Sequence, residues 1–127
     1  MQARTTLYTA AVAGFSAVAL GAFGAHGLKH VLSADMMDVY RTAVLYHLVH
    51  AVALLGLAVW LQVQPSRWLR WSANLMLLGL ILFSGSLYAM TLSGVKMLGI
   101  ITPFGGVSWL FAWALLLVAA SKMNNRA

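Results

Sequence analysis

Four long stretches without a formally charged side chain dominate this sequence: Leu7–Ala25, Thr42–Gln64, Trp71–Val95 and Met97–Ser121. Each is close to the ~20 residues that an α-helix needs to cross a hydrocarbon core. In such a core the backbone must bond to itself, so continuous apolar runs become helices. A membrane β-barrel would instead need about eight or more short segments of alternating polarity. The fold expected is therefore all-α, an integral membrane four-helix bundle. It forms a single domain over residues 1–127, with spans near 6–26, 42–63, 70–93 and 103–121.

The charge inventory agrees. Asp35 and Asp38 are the only carboxylate side chains, and charged residues make up 8% of a chain that is 62% hydrophobic, too few to clothe a soluble surface. The net charge of +6 does not signal a nucleic-acid partner, because Lys and Arg are scattered among the ends of the apolar runs rather than gathered on one face. Membrane lipids are the expected surroundings. The absence of cysteine excludes disulfides, thiolate metal sites and thiol nucleophiles. Met1-Gln2-Ala3-Arg4 and the run behind it resemble a secretory signal, with Ala22-Phe23-Gly24 as a passable cleavage site. The run is long for a signal, so a retained first helix is expected.

Positive charge orients such a bundle. Arg4, Arg67, Arg70, Lys122 and Arg126 fall on one side, and Lys29, Arg41 and Lys96 on the other with both aspartates, which places both termini in the cytoplasm. Trp60, Trp68 and Trp71 gather round the second loop, where indole rings favour the headgroup level. Ser33 is placed to cap a helix beginning at Ala34, with Asp35 in its first turn and Asp38 and Arg41 spaced to pair. Pro65 ends the second helix, and Thr102 followed by Pro103 reads as the cap and first residue of the fourth. Ala10, Gly14, Ala17, Gly21 and Ala25 form a small-residue stripe suited to helix packing or self-association, and Gly105 and Gly106 permit close approach at the start of helix four.

Polar groups inside the spans are few and costly, so they should face one another or a wet cavity. His26 and His30 fall at the outer end of helix one, and His47 and His50 in the outer third of helix two. The simplest role for each imidazole is a hydrogen bond to a carbonyl or to a hydroxyl such as Tyr46 or Tyr88. A metal or haem site using His26, His47 and His50 is an alternative, although their spacing selects no particular ion. A proton- or ligand-handling role is another. Ser84, Ser86, Tyr88 and Thr91 add hydroxyls to helix three. A serine nucleophile would need a base and an orienting acid, and both acids lie outside the spans. No nucleotide fingerprint is present.

Four motifs recur in order along the chain: Gly21-Ala22-Phe23-Gly24-Ala25-His26-Gly27-Leu28; Arg41-Thr42-Ala43-Val44 with Tyr46-His47 and His50-Ala51; Phe83-Ser84-Gly85-Ser86-Leu87-Tyr88; and Leu98-Gly99-Ile100-Ile101-Thr102-Pro103-Phe104-Gly105-Gly106. Together they resemble the small membrane proteins of domain-of-unknown-function family 423, related to the eukaryotic transmembrane protein 256. The resemblance implies a four-helix protein of the bacterial inner membrane and brings no activity, substrate or cofactor with it. The functional expectation is a non-enzymatic binding or accessory protein. Its polar pocket near the outer face would draw on His26, His50, Ser84, Ser86, Tyr88 and Thr102. A small transporter or channel, and a metal- or haem-binding protein, are the competing classes. A homo-oligomer or a membrane-protein partner is compatible with so small a bundle.

Overall fold

A computed structural model describes residues 1–124, which leaves Arg126 of the charge count outside the described residues. The elements are α1 (Ala3–Gly27), α2 (Ala34–Val63), α3 (Arg67–Gly79), a π-helical turn (Leu80–Ser84), α4 (Gly85–Ser93), a 3-10 turn (Lys96–Ile100) and α5 (Thr102–Ser121). α3, the π turn and α4 run on as one span from Arg67 to Ser93, so four helices are long and apolar enough to cross a membrane. Their outer faces carry exposed large apolar side chains such as Phe15, Leu110 and Leu117, as a helix in lipid requires.

α1 packs along α2, and α5 along α3 and the π turn, while α2 also lies against the π turn and α4 and so joins the two pairs. Lipid offers no hydrophobic drive between helices, so small residues and cross-helix hydrogen bonds must hold the faces together. Ala43, Ala73 and Ala112 are fully buried at these contacts. Three serines bond the carbonyl of a neighbouring helix at 2.8 Å: Ser72 to Ala112, Ser108 to Leu75 and Ser84 to Ala43. Among the described residues no buried side-chain polar atom lacks a partner.

The small-residue stripe of α1 is rotated from its expected position. The buried residues are Thr6, Ala10, Ala13, Ala17 and Gly24. Ala25 is exposed, and a Cβ on Gly14 would meet nothing within 4 Å. Gly21 remains at the contact, where a Cβ would lie 3.2 Å from Val44. The closest approach on α1 belongs to Gly24, whose missing side chain leaves room for the buried ring of Tyr40.

α2 is longer than its apolar run. The Ser33 side chain accepts the Met36 N–H at 3.2 Å and Asp35 occupies the first turn, so the helix starts a full two turns ahead of Thr42. His50 therefore stands sixteen residues after Ala34, about 24 Å along the helix axis. Asp38 and Arg41 pair at 3.5 Å with both side chains exposed, a contact worth a few tenths of a kcal/mol at most. At the other end of the fold, Thr102 does not cap α5. Its hydroxyl meets Ser86 instead, and the preceding 3-10 turn delivers the chain to Pro103.

The π turn interrupts the regular helix within the span from Arg67 to Ser93, and such turns concentrate at functional sites. Trp109 of α5 inserts beside it, donating from its indole N–H to the Met76 carbonyl at 3.0 Å. Gly79 makes the space for that ring, and Gly105 lies against the backbone of Phe83 within the turn.

Candidate functional site

The two buried histidines of α2 lie three residues apart and so project from the same helix about 60° from one another, enough to send them to different neighbours. His47 faces α1 and α4. The Tyr88 hydroxyl lies 2.8 Å from Nδ1, and Ser16 Oγ lies 3.1 Å from Nε2. Ser16 spends its single proton on the Ala13 carbonyl at 3.0 Å, so it accepts from His47 Nε2–H. Tyr88 therefore donates to Nδ1, and the chain Tyr88–His47–Ser16 is directional and closed.

His50 faces α5. Its Nδ1 lies 2.8 Å from the Tyr46 carbonyl, which only accepts, so that nitrogen carries the proton. Nε2 then accepts the Trp113 indole N–H at 3.2 Å. The imidazole stacks on Trp109 with centroids 3.6 Å apart and planes 3° from parallel. Tyr46 and Phe83 complete the cluster around Trp109, at 5.8 and 4.8 Å. Between α2 and α5 these rings wall an open groove of about 480 Å³, which Pro103, Val107 and Leu110 also line. Tyr46 is half exposed there, and its hydroxyl donates to no partner among the described residues.

The residues expected to share one polar pocket are divided among several contacts. Ser86 meets Thr102 at 2.6 Å. Tyr88 pairs with His47 rather than His50. Ser84 is consumed by the Ala43 carbonyl, and His26 is exposed in the last turn of α1. Nor are His26, His47 and His50 brought together. Both nitrogens of His47 and of His50 are already engaged, and among the described residues no group of three or more His, Asp or Glu is placed to hold a metal ion.

Ser16, Trp109, Trp113 and Gly79 are site or packing residues that the motifs did not mark. Trp109 and Trp113 carried a signal in their i,i+4 spacing, which puts both rings on one helix face. Ser16 carried none, because its value lies in a partner thirty-one positions away.

The Tyr88–His47–Ser16 chain makes a clear prediction. His47→Gln keeps one donor and one acceptor and should change stability by less than ~0.5 kcal/mol, whereas His47→Leu orphans the Tyr88 hydroxyl and should cost about 1–2 kcal/mol. Unfolding by SDS titration of the detergent-solubilised protein measures both.

The model of the family described as "Protein of unknown function (DUF423)" matches residues 20–106, which hold His47, His50, the π turn and Gly105. The chain belongs to that family. The UPF0382 inner membrane protein YgdD of Escherichia coli (strain K12) is 45% identical over 126 residues, covering 99% of this chain and 96% of that protein. The UPF0382 membrane protein SAB0533 of Staphylococcus aureus is 42% identical over 106 residues, 84% of this chain and 86% of its own. YwdK of Bacillus subtilis, also a UPF0382 membrane protein, is 39% identical over 119 residues, 88% and 92% of the two chains. No solved structure matches. Membrane location is thus common to the four spans and to these relatives, and this is a multi-pass membrane protein. Trp109 and Trp113 lie beyond the segment that the family model matches.

Proposed function

We propose that this DUF423 protein is a non-enzymatic binding or accessory protein of the inner membrane. It holds a slender lipid-soluble ligand in the groove between α2 and α5. One observation carries this reading: the groove is walled by Tyr46, Phe83, Trp109 and Trp113, opens beside exposed apolar positions, and offers one uncommitted donor, the Tyr46 hydroxyl. Aromatic walls favour a flat or unbranched apolar body, and a free O–H favours an acceptor oxygen upon it. His50 acts here through Trp113, fixing the indole by accepting its N–H.

Transport coupled to protons is less well supported. Both aspartates lie in the first turns of α2, ahead of its uncharged run from Thr42 to Gln64, and both nitrogens of each buried histidine are engaged by partners. The groove runs along the first three turns of α5, from Pro103 to Trp113. With both termini in the cytoplasm, as the cations Arg4, Arg67, Arg70 and Lys122 favour, it opens in the outer half of the bilayer.

Val107→Trp fills the groove from its exposed rim without entering the core. Mass spectrometry of organic extracts from the purified proteins should find one lipid-soluble species near stoichiometry in the wild type and depleted about tenfold in Val107→Trp, the loss expected when ~1.4 kcal/mol of binding is removed. Identical extracts from two equally folded proteins would overturn the reading.

A further inference from the structure

The end of the molecule where α1 begins and α5 ends holds a second cavity, unrelated to the α2–α5 groove. It measures about 400 Å³ and lies where α2 ends, α3 begins and α5 ends. Arg67 and Lys122 line it, together with Trp60, Trp68, Gln64 and Ser66. Two features set it apart from an ordinary basic rim. The first is the lack of any acidic side chain at that end. The only aspartates, Asp35 and Asp38, sit in the first turns of α2, and Gln64 follows its last, so about 39 Å or more of helix separates them from the cavity. The corresponding cavity near the opposite end differs. It is lined by Lys29 and Arg41, and Arg41 already has Asp38 as a partner.

The second feature is the set of donors converging on this cavity. α3 starts at Arg67 beside the cavity; in its first turn Ser66 takes the Trp68 and Arg70 N–H groups, which leaves those of Arg67 and Leu69 without a helix partner. Ser66 Oγ takes only the Trp68 N–H, at 3.2 Å. At the end of α5 the Lys122 N–H bonds the carbonyls of Val118 and Ala119 at 3.2 Å. The Arg67 guanidinium rests 4.6 Å above the Trp68 ring, which orients it and cancels none of its charge. Trp60 and Trp68 set the level of the cavity at the headgroup boundary.

We propose that this cavity binds a phosphate-bearing anion, with the phosphate between Arg67, Lys122 and the first turn of α3. Where an acyl-chain-bearing phosphate occupies it, the glycerol and upper chain lie against Trp60 and Trp68. A lipid phosphodiester and free phosphate share this chemistry, and the test separates them.

The protein is purified in an uncharged detergent and its tryptophan emission is followed during titration with short-chain phosphatidylglycerol, short-chain phosphatidylcholine or inorganic phosphate. Saturable binding of phosphatidylglycerol is expected, with phosphatidylcholine at least tenfold weaker. Each cation near a membrane surface is worth about fivefold in affinity, so Arg67→Gln/Lys122→Gln should lose about twentyfold. Lys29→Gln/Arg41→Gln, at the far end, should lose less than twofold. Circular dichroism confirms helicity, and Arg67→Gln alone serves if the pair does not fold. Phosphate that binds alone and is lost with the same pair supports the site and names the soluble ion as its source. Equal losses in the two pairs, or phosphatidylcholine binding as tightly as phosphatidylglycerol, overturns it.

Discussion

Gly105→Ala is expected to destabilise the fold by about 3 kcal/mol, toward the upper end of what overpacking a filled interior costs. A Cβ at this position would drive into the backbone nitrogen and Cα of Phe83, inside the π turn. A side chain can rotate away from such a collision, but a backbone held in a helix cannot. α5 and the span from Arg67 to Ser93 would have to part, and Ser108 and Ser72 would lose their cross-helix carbonyls together. Single hydrogen bonds between membrane helices average only about 0.6 kcal/mol, so this steric effect outweighs the loss of any one of them. Two glycines provide controls. Gly106 would place its Cβ 3.9 Å from Phe83, an ordinary contact, and Gly14 would meet nothing within 4 Å. Alanine at either should be neutral or stabilising by up to ~1 kcal/mol through helix propensity. SDS unfolding of the three variants decides the matter: a Gly105→Ala protein as stable as Gly106→Ala would show that the helices are not held at this distance.

The controls also show where the sequence stops being informative. Lipid as the solvent, helices as the form and four as their number were all legible, because each follows from long runs without charge. The early start of α2 was legible too, through Ser33 and Asp35. The pairing of polar groups was not. Spacing puts His47 and His50 near one helix face, but the rotation of α2 against α1 and α5 decides that one meets Ser16 and the other Trp113. The same limit explains α1. Its glycines and alanines are so evenly spread that two stripes fit the sequence equally well, and the bulk of Tyr40, opposite Gly24, selects one. The π turn left no local mark, since Leu80–Ser84 reads as ordinary apolar helix. Its cause lies across the interface, in a tryptophan that needs the space above a glycine.

That cause can be tested by pairing the two residues. Gly79→Ala should cost about 2 kcal/mol, because the new methyl would occupy the place of the Trp109 indole. Trp109→Leu should cost about 3 kcal/mol, as expected for a large core truncation that also forfeits a hydrogen bond and ring stacking. The bond lost is that to Met76, and the stacking is that with His50 and Phe83. If the clash in Gly79→Ala is with the indole and nothing else, removing the indole abolishes it. The double variant should then sit near 3 kcal/mol rather than the additive 5, a coupling of about 2 kcal/mol. Near-ultraviolet circular dichroism gives an independent reading. A Trp109 ring fixed against His50 contributes a signal that Gly79→Ala should diminish, while His47→Gln, which acts on the opposite neighbours of α2, should leave it intact. Strict additivity of the two stability losses would mean that Gly79 serves the backbone of the π turn itself. The groove would then owe its shape to the helix and not to the tryptophan wedged beside it.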